Sequence, residues 1–306
     1  MIGAEVAWRL GDRVVTGAGG SVVGQRYDRN YDVWHLDPQR PLAIVADGMG
    51  AGEGSAAAGR IAVETFATGI TGPDPAALRA AVQEAHFRVR EKARTLRELT
   101  GCTLTALAGV TDTSAGDAPA AGAAATGGGA AVAGDASAVG AAAIGGGAAV
   151  AGDASAVGAA ATGGGAAAAG ASAGAAVQIV QVGDSRAYRL RGGLLELLTV
   201  DHTVAWLGLI HGWYAATDPR AEADGYRLTR YMGHPEQPDP DVLDVPLHPG
   251  DRLLLCTDGV AGQVPYQDLS RLLAAGPPAV AVRSLLDATL RAGGQDNATA
   301  IVLAVT

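Results

Sequence analysis

One lysine serves the whole 306-residue chain, and it is Lys92. Glu91 stands before it, so the Gly-Lys pair of a phosphate-cradling P-loop is excluded. Cysteine is almost as scarce. Cys102 and Cys256 lie far apart and form no CxxC pair, which leaves neither a disulfide framework nor a cysteine-based zinc site, and both read as small buried hydrophobes. Positive charge is in deficit, with 22 Lys+Arg against 31 Asp+Glu and a net charge of −9, which argues against a nucleic-acid footprint. No run of 18 or more strongly apolar residues occurs, and the opening decapeptide carries Glu5 and Arg9 where a signal peptide needs an unbroken apolar stretch. The expectation is a soluble, cytoplasmic, monomeric protein that binds neither nucleic acid nor membrane.

Small residues, by contrast, are abundant, and they are concentrated. The string GGGAAVAGDASAVGAAA starts at Gly127, returns at Gly145 and recurs in degraded form from Gly163. From 114 to 174 the chain uses almost only Ala, Gly, Ser and Val with Asp117, Asp135 and Asp153, and neither an aromatic nor a basic residue. Such a tract cannot remove enough apolar surface from water to offset its ordering entropy, so it reads as a flexible or weakly structured insertion. A solenoid would need a large apolar residue at a fixed place in each turn, and only Val132, Val139, Ile144, Val150 and Val157 are on offer. The remainder fits one domain, 1–306, interrupted at 114–174. CTLTALAGV before the tract and VQIVQV after it read as two strands of a hairpin whose connection has grown.

Other strands are expected at 14–23, 32–36, 42–46, 187–190, 242–245, 252–256 and 298–305, and helices at 55–70, 75–96, 266–274 and 278–291. Aromatics make up only 4% of the chain, so WLGLIHGWY at 206–214 stands out, and it reads as a helix packing its apolar face on the core. Runs of strands followed by paired helices favour an α+β fold with mixed or antiparallel sheets over a doubly wound one.

The chemistry gathers where apolar strands meet aspartate. The pattern appears in LAIVADGMG (Asp47, Gly48), VQIVQVGDSR (Asp184), LLLCTDGV (Asp258) and GGQDNATAIVLAV (Asp296, Asn297). One Asp-Gly after a strand is a turn signal, but four in one domain are harder to dismiss. Converging strand ends would crowd carboxylates into a small volume, where their repulsion is severe unless cations occupy it. Hard oxygen ligands select Mg²⁺ or Mn²⁺, and the six histidines never recur at metal-ligand spacing. Two such ions about 3.5–4 Å apart suit in-line phosphate-ester hydrolysis.

These strings, together with RNYD, TGCTLTAL, VGDSRAY, LTVDHT and RLTRYMG, resemble in order the metal-dependent type 2C protein phosphatases (PPM family) in their bacterial form, over most of the chain outside the repeats. The resemblance implies a four-layer α-β-β-α sandwich with two central, mainly antiparallel sheets flanked by helix pairs. It implies a serine/threonine phosphatase that uses Mn²⁺ or Mg²⁺, with a water or hydroxide bridging two ions, and that acts on phosphorylated Ser/Thr proteins in opposition to a serine/threonine kinase. By the same resemblance Asp47 bridges the metals, the Gly48 carbonyl ligates one, and Asp258 and Asp296 complete the pair, making Asp47, Asp258 and Asp296 the catalytic set. Asp184 matches the ligand of a third, more weakly held ion, Asp32 an outer-shell residue holding a water, and Asn297 a residue that orients water or simply shapes a turn. The region after LTVDHT corresponds to a mobile flap beside the site.

Departures from the family pattern are specific. Tyr31 stands where Glu is usual, and Tyr27 where a phosphate-binding Arg is expected, leaving Arg26 or Arg29, of which Arg26 is favoured. Met49 replaces the His of animal members, as in bacterial ones. These departures motivate an alternative, a catalytically weak or inactive regulatory or binding module. His202, in DHT, is expected to make a structural hydrogen bond near a sheet edge. GASAG at 170–174 lacks the strand and helix of a nucleophile elbow.

Overall fold

The computed structural model describes residues 2–70, 72–96, 98–109 and 175–306. The repeat tract at 114–174, with the expectation attached to it, lies outside the described residues.

Chain order runs β1 (Ile2–Leu10), β2 (Arg13–Val22), β3 (Val33–Leu36), β4 (Leu42–Ala46), α1 (Glu53–Gly69), α2 (Pro75–Leu96), β5 (Leu104–Gly109) and β6 (Ala176–Val182). It continues through β7 (Arg186–Arg191), β8 (Leu194–Leu197), α3 (Val204–Ile210), α4 (Pro219–Gly225), β9 (Asp241–Pro246), β10 (Arg252–Cys256), α5 (Asp258–Ala261), α6 (Tyr266–Ala274), α7 (Pro278–Arg291) and β11 (Ala298–Val305). Among the described residues these strands form a six-stranded sheet, β1-β2-β11-β10-β7-β8, and a five-stranded sheet, β3-β4-β5-β6-β9. Neighbours within both sheets are antiparallel.

Strands with continuous apolar sequence have two faces to bury, and alternation sorts them. In β10, Leu253 and Leu255 point between the sheets, while Leu254 and Cys256 point to the other face. β11 divides likewise, with Ile301, Leu303 and Val305 between the sheets and Ala300 and Val302 outward. Against that outer face pack Leu269, Leu272 and Leu273 of α6 and Val282, Leu285 and Leu286 of α7. The five-stranded sheet mirrors this arrangement: Ala43 and Val45 face inward, while Leu42, Ile44 and Ala46 meet Phe66 of α1 and Leu78, Val82 and Val89 of α2. Each sheet therefore has one face on the other sheet and one face under a helix pair, which is the expected four-layer sandwich. Among the described residues no helix is long and apolar enough to cross a membrane.

The strands flanking the repeats are neighbours, Leu104 opposite Val182 and Gly109 opposite Val177, as a hairpin with an enlarged connection requires. One expectation needs correction, and the elements β1, β8, α4 and α5 go beyond the expected ones. β1 was not anticipated, although Val6, Trp8 and Leu10 are buried and alternate with exposed Glu5, Ala7 and Arg9, and Gly11 turns the chain at φ 57. β8 was also missed, being four residues long. The aromatic run does not pack on the core: α3 buries only Ala205 and Gly208, and Trp206, Ile210 and Trp213 are exposed. Its small buried face lies against Tyr214, whose ring would collide with any Cβ at Gly208.

Leu255 is fully buried between the sheets and Leu194 is exposed on β8. Leu255→Ala is expected to cost about 2–5 kcal/mol in urea unfolding, and Leu194→Ala to stay within about 0.5 kcal/mol. Equal effects would contradict the layer assignment.

Candidate metal centre

Antiparallel pairing decides which loops meet. Val33, the first residue of β3, faces Ala46, the last of β4, so Asp32 and Asp47 leave the five-stranded sheet at the same rim. Leu104 at the start of β5 faces Val182 at the end of β6, bringing Thr103 and the Asp184 turn to that rim. On the six-stranded sheet Cys256 ends β10 opposite Ala300, near the start of β11, which places Asp258 beside Asp296.

The two rims are fastened together by hydrogen bonds to one buried carboxylate. Asp32 Oδ2 accepts from Thr257 Oγ1 at 2.8 Å and from Thr299 Oγ1 at 2.7 Å, both from the opposite sheet. Thr257 Oγ1 in turn accepts from the Thr299 amide at 3.0 Å, and Thr299 Oγ1 is 2.7 Å from Ser21 Oγ. Asn30 donates to Ser21 Oγ at 2.6 Å, and its Oδ1 accepts from the Asp32 amide at 3.1 Å. The Asp47 amide donates to Thr103 Oγ1 at 2.9 Å, and the Thr103 amide donates back to the Asp47 carbonyl at 2.9 Å.

Backbone crowding explains the glycines after two of these aspartates. A Cβ on Gly48 would lie 2.8 Å from the carbonyl oxygens of both Ser55 and Tyr31. A Cβ on Gly259 would lie 1.9 Å from the Asn297 carbonyl, so the Asp258 and Asp296 loops touch main chain to main chain. Asn297 is buried, and its Oδ1 accepts from the Gly24 amide at 3.0 Å, so this side chain clasps the Gly24 turn.

The electrostatics are those of crowded acids. Burial, followed by the charges of Asp258 and Asp32, a hydrogen bond with Asp258 and the charge of Asp184, pushes Asp47 well above the usual carboxylate range. Burial and then Asp258 and Asp201 do the same to Asp184, with Arg186 opposing. Asp32 is raised to about 7 by burial against the two threonine hydrogen bonds. Asp296 is raised to about 6 by burial and Asp258, against the Asn297 amide and Arg26. Asp32 Oδ1 and Asp258 Oδ1 are buried oxygens without a hydrogen-bond partner.

Hard anionic oxygens, two of them unpartnered, fit a divalent cation of the Mg²⁺ or Mn²⁺ type. The side chains of Asp47, Asp258, Asp296, Asp184 and Asp32 and the Gly48 carbonyl are the groups able to supply the ligands. Among the described residues no three of these acids already stand around one point at ligating spacing.

Around the cluster, Tyr27 feels the charges of Asp296, Asp47 and Asp258 and is raised first by burial and then by them. Arg26 is exposed, 5.8 Å from the Tyr27 ring centroid, and acts on Asp296. Arg29 lies over Tyr31 at 5.1 Å. Tyr31 itself is buried, edge-on to Tyr27 at 5.6 Å, in a setting that suits a phenol ring better than a carboxylate. Sequence reasoning missed the supporting hydroxyls, Thr103, Thr257, Thr299 and Ser21. Only Thr257 carries a local signal, a Thr adjoining an Asp at a strand end in CTD.

A family model described as Protein phosphatase 2C matches residues 17–300. The serine/threonine protein phosphatase PstP of Mycobacterium tuberculosis is 30% identical over 125 residues, 40% of this chain and 24% of that protein, so the matched stretch spans about a quarter of that curated relative. The crystal structure of the PPM Ser-Thr phosphatase MsPP from Mycobacterium smegmatis, in complex with cacodylate, is 27% identical, with a TM-score of 0.66 over 94% of this chain and 97% of that one. The catalytic domain of PstP in complex with two manganese ions shares the fold at 24% identity, TM-score 0.67, over 96% and 99% of the two chains.

Asp32 at about 7 and Asp296 at about 6 hold protons in the metal-free folded chain that the unfolded chain releases near pH 4. The folded state therefore binds more protons through this window, and stability falls as pH rises from about 4 to about 7. Carboxyls held low, such as Asp37 at about 2, act below it. Thermal melts in EDTA are expected to give a lower Tm at pH 8 than at pH 5, with Asp32→Asn narrowing the gap. A higher Tm at pH 8 would contradict the proposed crowding.

Proposed function

This chain belongs to the protein phosphatase 2C family, and from that membership and its carboxylate cluster we propose that it is a metal-dependent protein serine/threonine phosphatase. The observation that carries the reading is the gathering of five aspartates from both sheets at one rim, with buried oxygens of Asp32 and Asp258 left unpartnered.

In this reading Asp47, the Gly48 carbonyl, Asp258 and Asp296 hold two Mn²⁺ or Mg²⁺ ions, Asp184 helps hold a third more weakly, and Asp32 holds a water from the outer shell. Such ions, when bound, lower the pKa of water and offset charge on phosphoryl oxygens. The manganese in the PstP catalytic domain supports the choice of metal. Without cations the cluster would repel a phosphate monoester, and one exposed guanidinium is too little to reverse that. Arg26, beside Asp296, is the group that draws in the phosphoryl dianion; Arg29, engaged with Tyr31, is the lesser candidate.

The substrates are phosphorylated Ser/Thr proteins, the enzyme opposes a serine/threonine kinase, and it acts as a cytoplasmic monomer. Its single domain, 1–306, is interrupted at 114–174. The buried Tyr31, in place of an acid, favours a second reading, a weakly active or inactive regulatory module. Calorimetric titration with MnCl₂ separates the two, since a module that has lost its site takes up no stoichiometric Mn²⁺.

Hydrolysis of p-nitrophenyl phosphate and of phosphoserine and phosphothreonine peptides is expected to require Mn²⁺ or Mg²⁺. EDTA, Asp47→Asn or Asp258→Asn should each reduce it to background. Metal-independent turnover, or full activity in either variant, would refute the proposal.

A further inference from the structure

The turn carrying Asp184 is held by side chains outside the carboxylate cluster. Gly183 adopts φ 111, and a Cβ there would lie 2.7 Å from Thr103 Cγ2, so the peptide before Asp184 is confined to a conformation that glycine alone takes easily. Its amide donates to His202 Nδ1 at 3.1 Å, and the His202 amide donates back to the Gly183 carbonyl at 2.9 Å. On the far side of the turn Gln181 Nε2 donates to the carbonyls of Gly183 and Ser185, at 3.0 and 3.2 Å. Thr105 Oγ1 also donates to the Ser185 carbonyl, at 2.8 Å.

The His202 ring is buried, and its first contact dictates its second. Nδ1 can accept from Gly183 only if it carries no proton, so the proton sits on Nε2. Nε2 faces Asp241 Oδ2 at 3.1 Å and Arg230 Nη1 at 3.2 Å; of the two only the carboxylate can accept its proton, and Asp241 Oδ1 accepts from Arg230 Nη1 at 2.9 Å. The same residue anchors the helical hairpin that bears the exposed aromatics. The His202 carbonyl accepts from the Thr229 amide at 2.8 Å, and the next residue, Thr203, caps α3 by accepting from the Trp206 amide at 3.1 Å. One imidazole thus joins the Asp184 turn to the base of α3 and α4.

We propose that His202 is a positioning residue for Asp184: as the neutral Nε2–H tautomer, braced by Asp241, it sets the Gly183 peptide and so the direction of the Asp184 carboxylate. The inference rests on the reading of Asp184 as a metal ligand. It adds that the hold on the weaker ion is governed from the helical hairpin through a side chain that never touches the ion.

Two amides dissect the ring. Asparagine places Oδ1 where the imidazole has Nδ1, keeping the acceptor for Gly183 but losing the arm to Asp241. Glutamine reaches the place of Nε2 and loses the acceptor. Titration with MnCl₂ by calorimetry is expected to show the weak phase that Asp184→Asn abolishes. His202→Gln should weaken that phase about 10-fold or more, while His202→Asn stays near the wild-type value. In metal-free protein the Gly183 amide and the Asp184 carboxyl carbon should shift in the NMR spectra of His202→Gln and not of His202→Asn. A wild-type isotherm and unshifted signals in His202→Gln would overturn the assignment, as would equal losses in both variants accompanied by a lowered Tm. Failure of the wild-type chain to take up Mn²⁺ would instead count against the phosphatase reading, and the metal-free NMR comparison would still decide the role of His202.

Discussion

Mutual repulsion among aspartates is the constraint around which this molecule is arranged. Asp32, Asp47 and Asp184 leave the five-stranded sheet where Asp258 and Asp296 leave the six-stranded one, and each added carboxylate raises the free energy of its neighbours' charged forms. The chain meets part of this cost with threonine hydroxyls. Thr257 and Thr299 donate to Asp32 across the junction of the sheets, and Thr103 receives the Asp47 amide. What remains uncompensated, the free oxygens of Asp32 and Asp258, is a demand for positive charge, and the nearby Arg26 acts instead on Asp296.

Such a rim can exist because the rest of the fold holds it in place. Three apolar clusters, one between the sheets and one beneath each helix pair, run along the strand and helix faces up to the acidic loops. The strand ends inherit rigid positions from them, because Ala46, Val182, Cys256 and Ala298, next to the acidic loops, are themselves buried in these clusters. At the loops main chain meets main chain, as at Gly259 against Asn297, which leaves little freedom for the aspartates to move apart.

Much of this was legible in the sequence, and the boundary of legibility is physical. β10, β11, α2, α6 and α7 announce themselves through apolar periodicity and turn residues at their ends, and their observed limits coincide with the expected ones. The Asp-Gly strings were readable because a strand followed by aspartate is a local pattern, although their convergence is not local and came from family resemblance until the strand register supplied it. β1 carries its signal in the alternation of Val6, Trp8 and Leu10 with exposed residues, and the Glu5 and Arg9 that disqualify the segment as a targeting peptide are part of that same alternation. The aromatic run misled because hydrophobicity reports what a side chain would gain from burial, not whether a partner exists; Trp206 and Trp213 have none in the core. The grip of His202 on Gly183 joins residues 19 positions apart, and no periodicity encodes it.

The pairing of β5 with β6 has a practical corollary. Leu104 and Val182 sit at the acidic rim, whereas Gly109 and Val177 close the ladder at its other end, about 17 Å away along the strands. The chain departs and returns there on adjacent strands, so lengthening a flexible connection between them raises the loop-closure cost only logarithmically. That end of the sheet is a natural docking port for protein engineering, where a fluorescent reporter or a recruitment domain could be spliced in while the ion-binding end keeps its geometry.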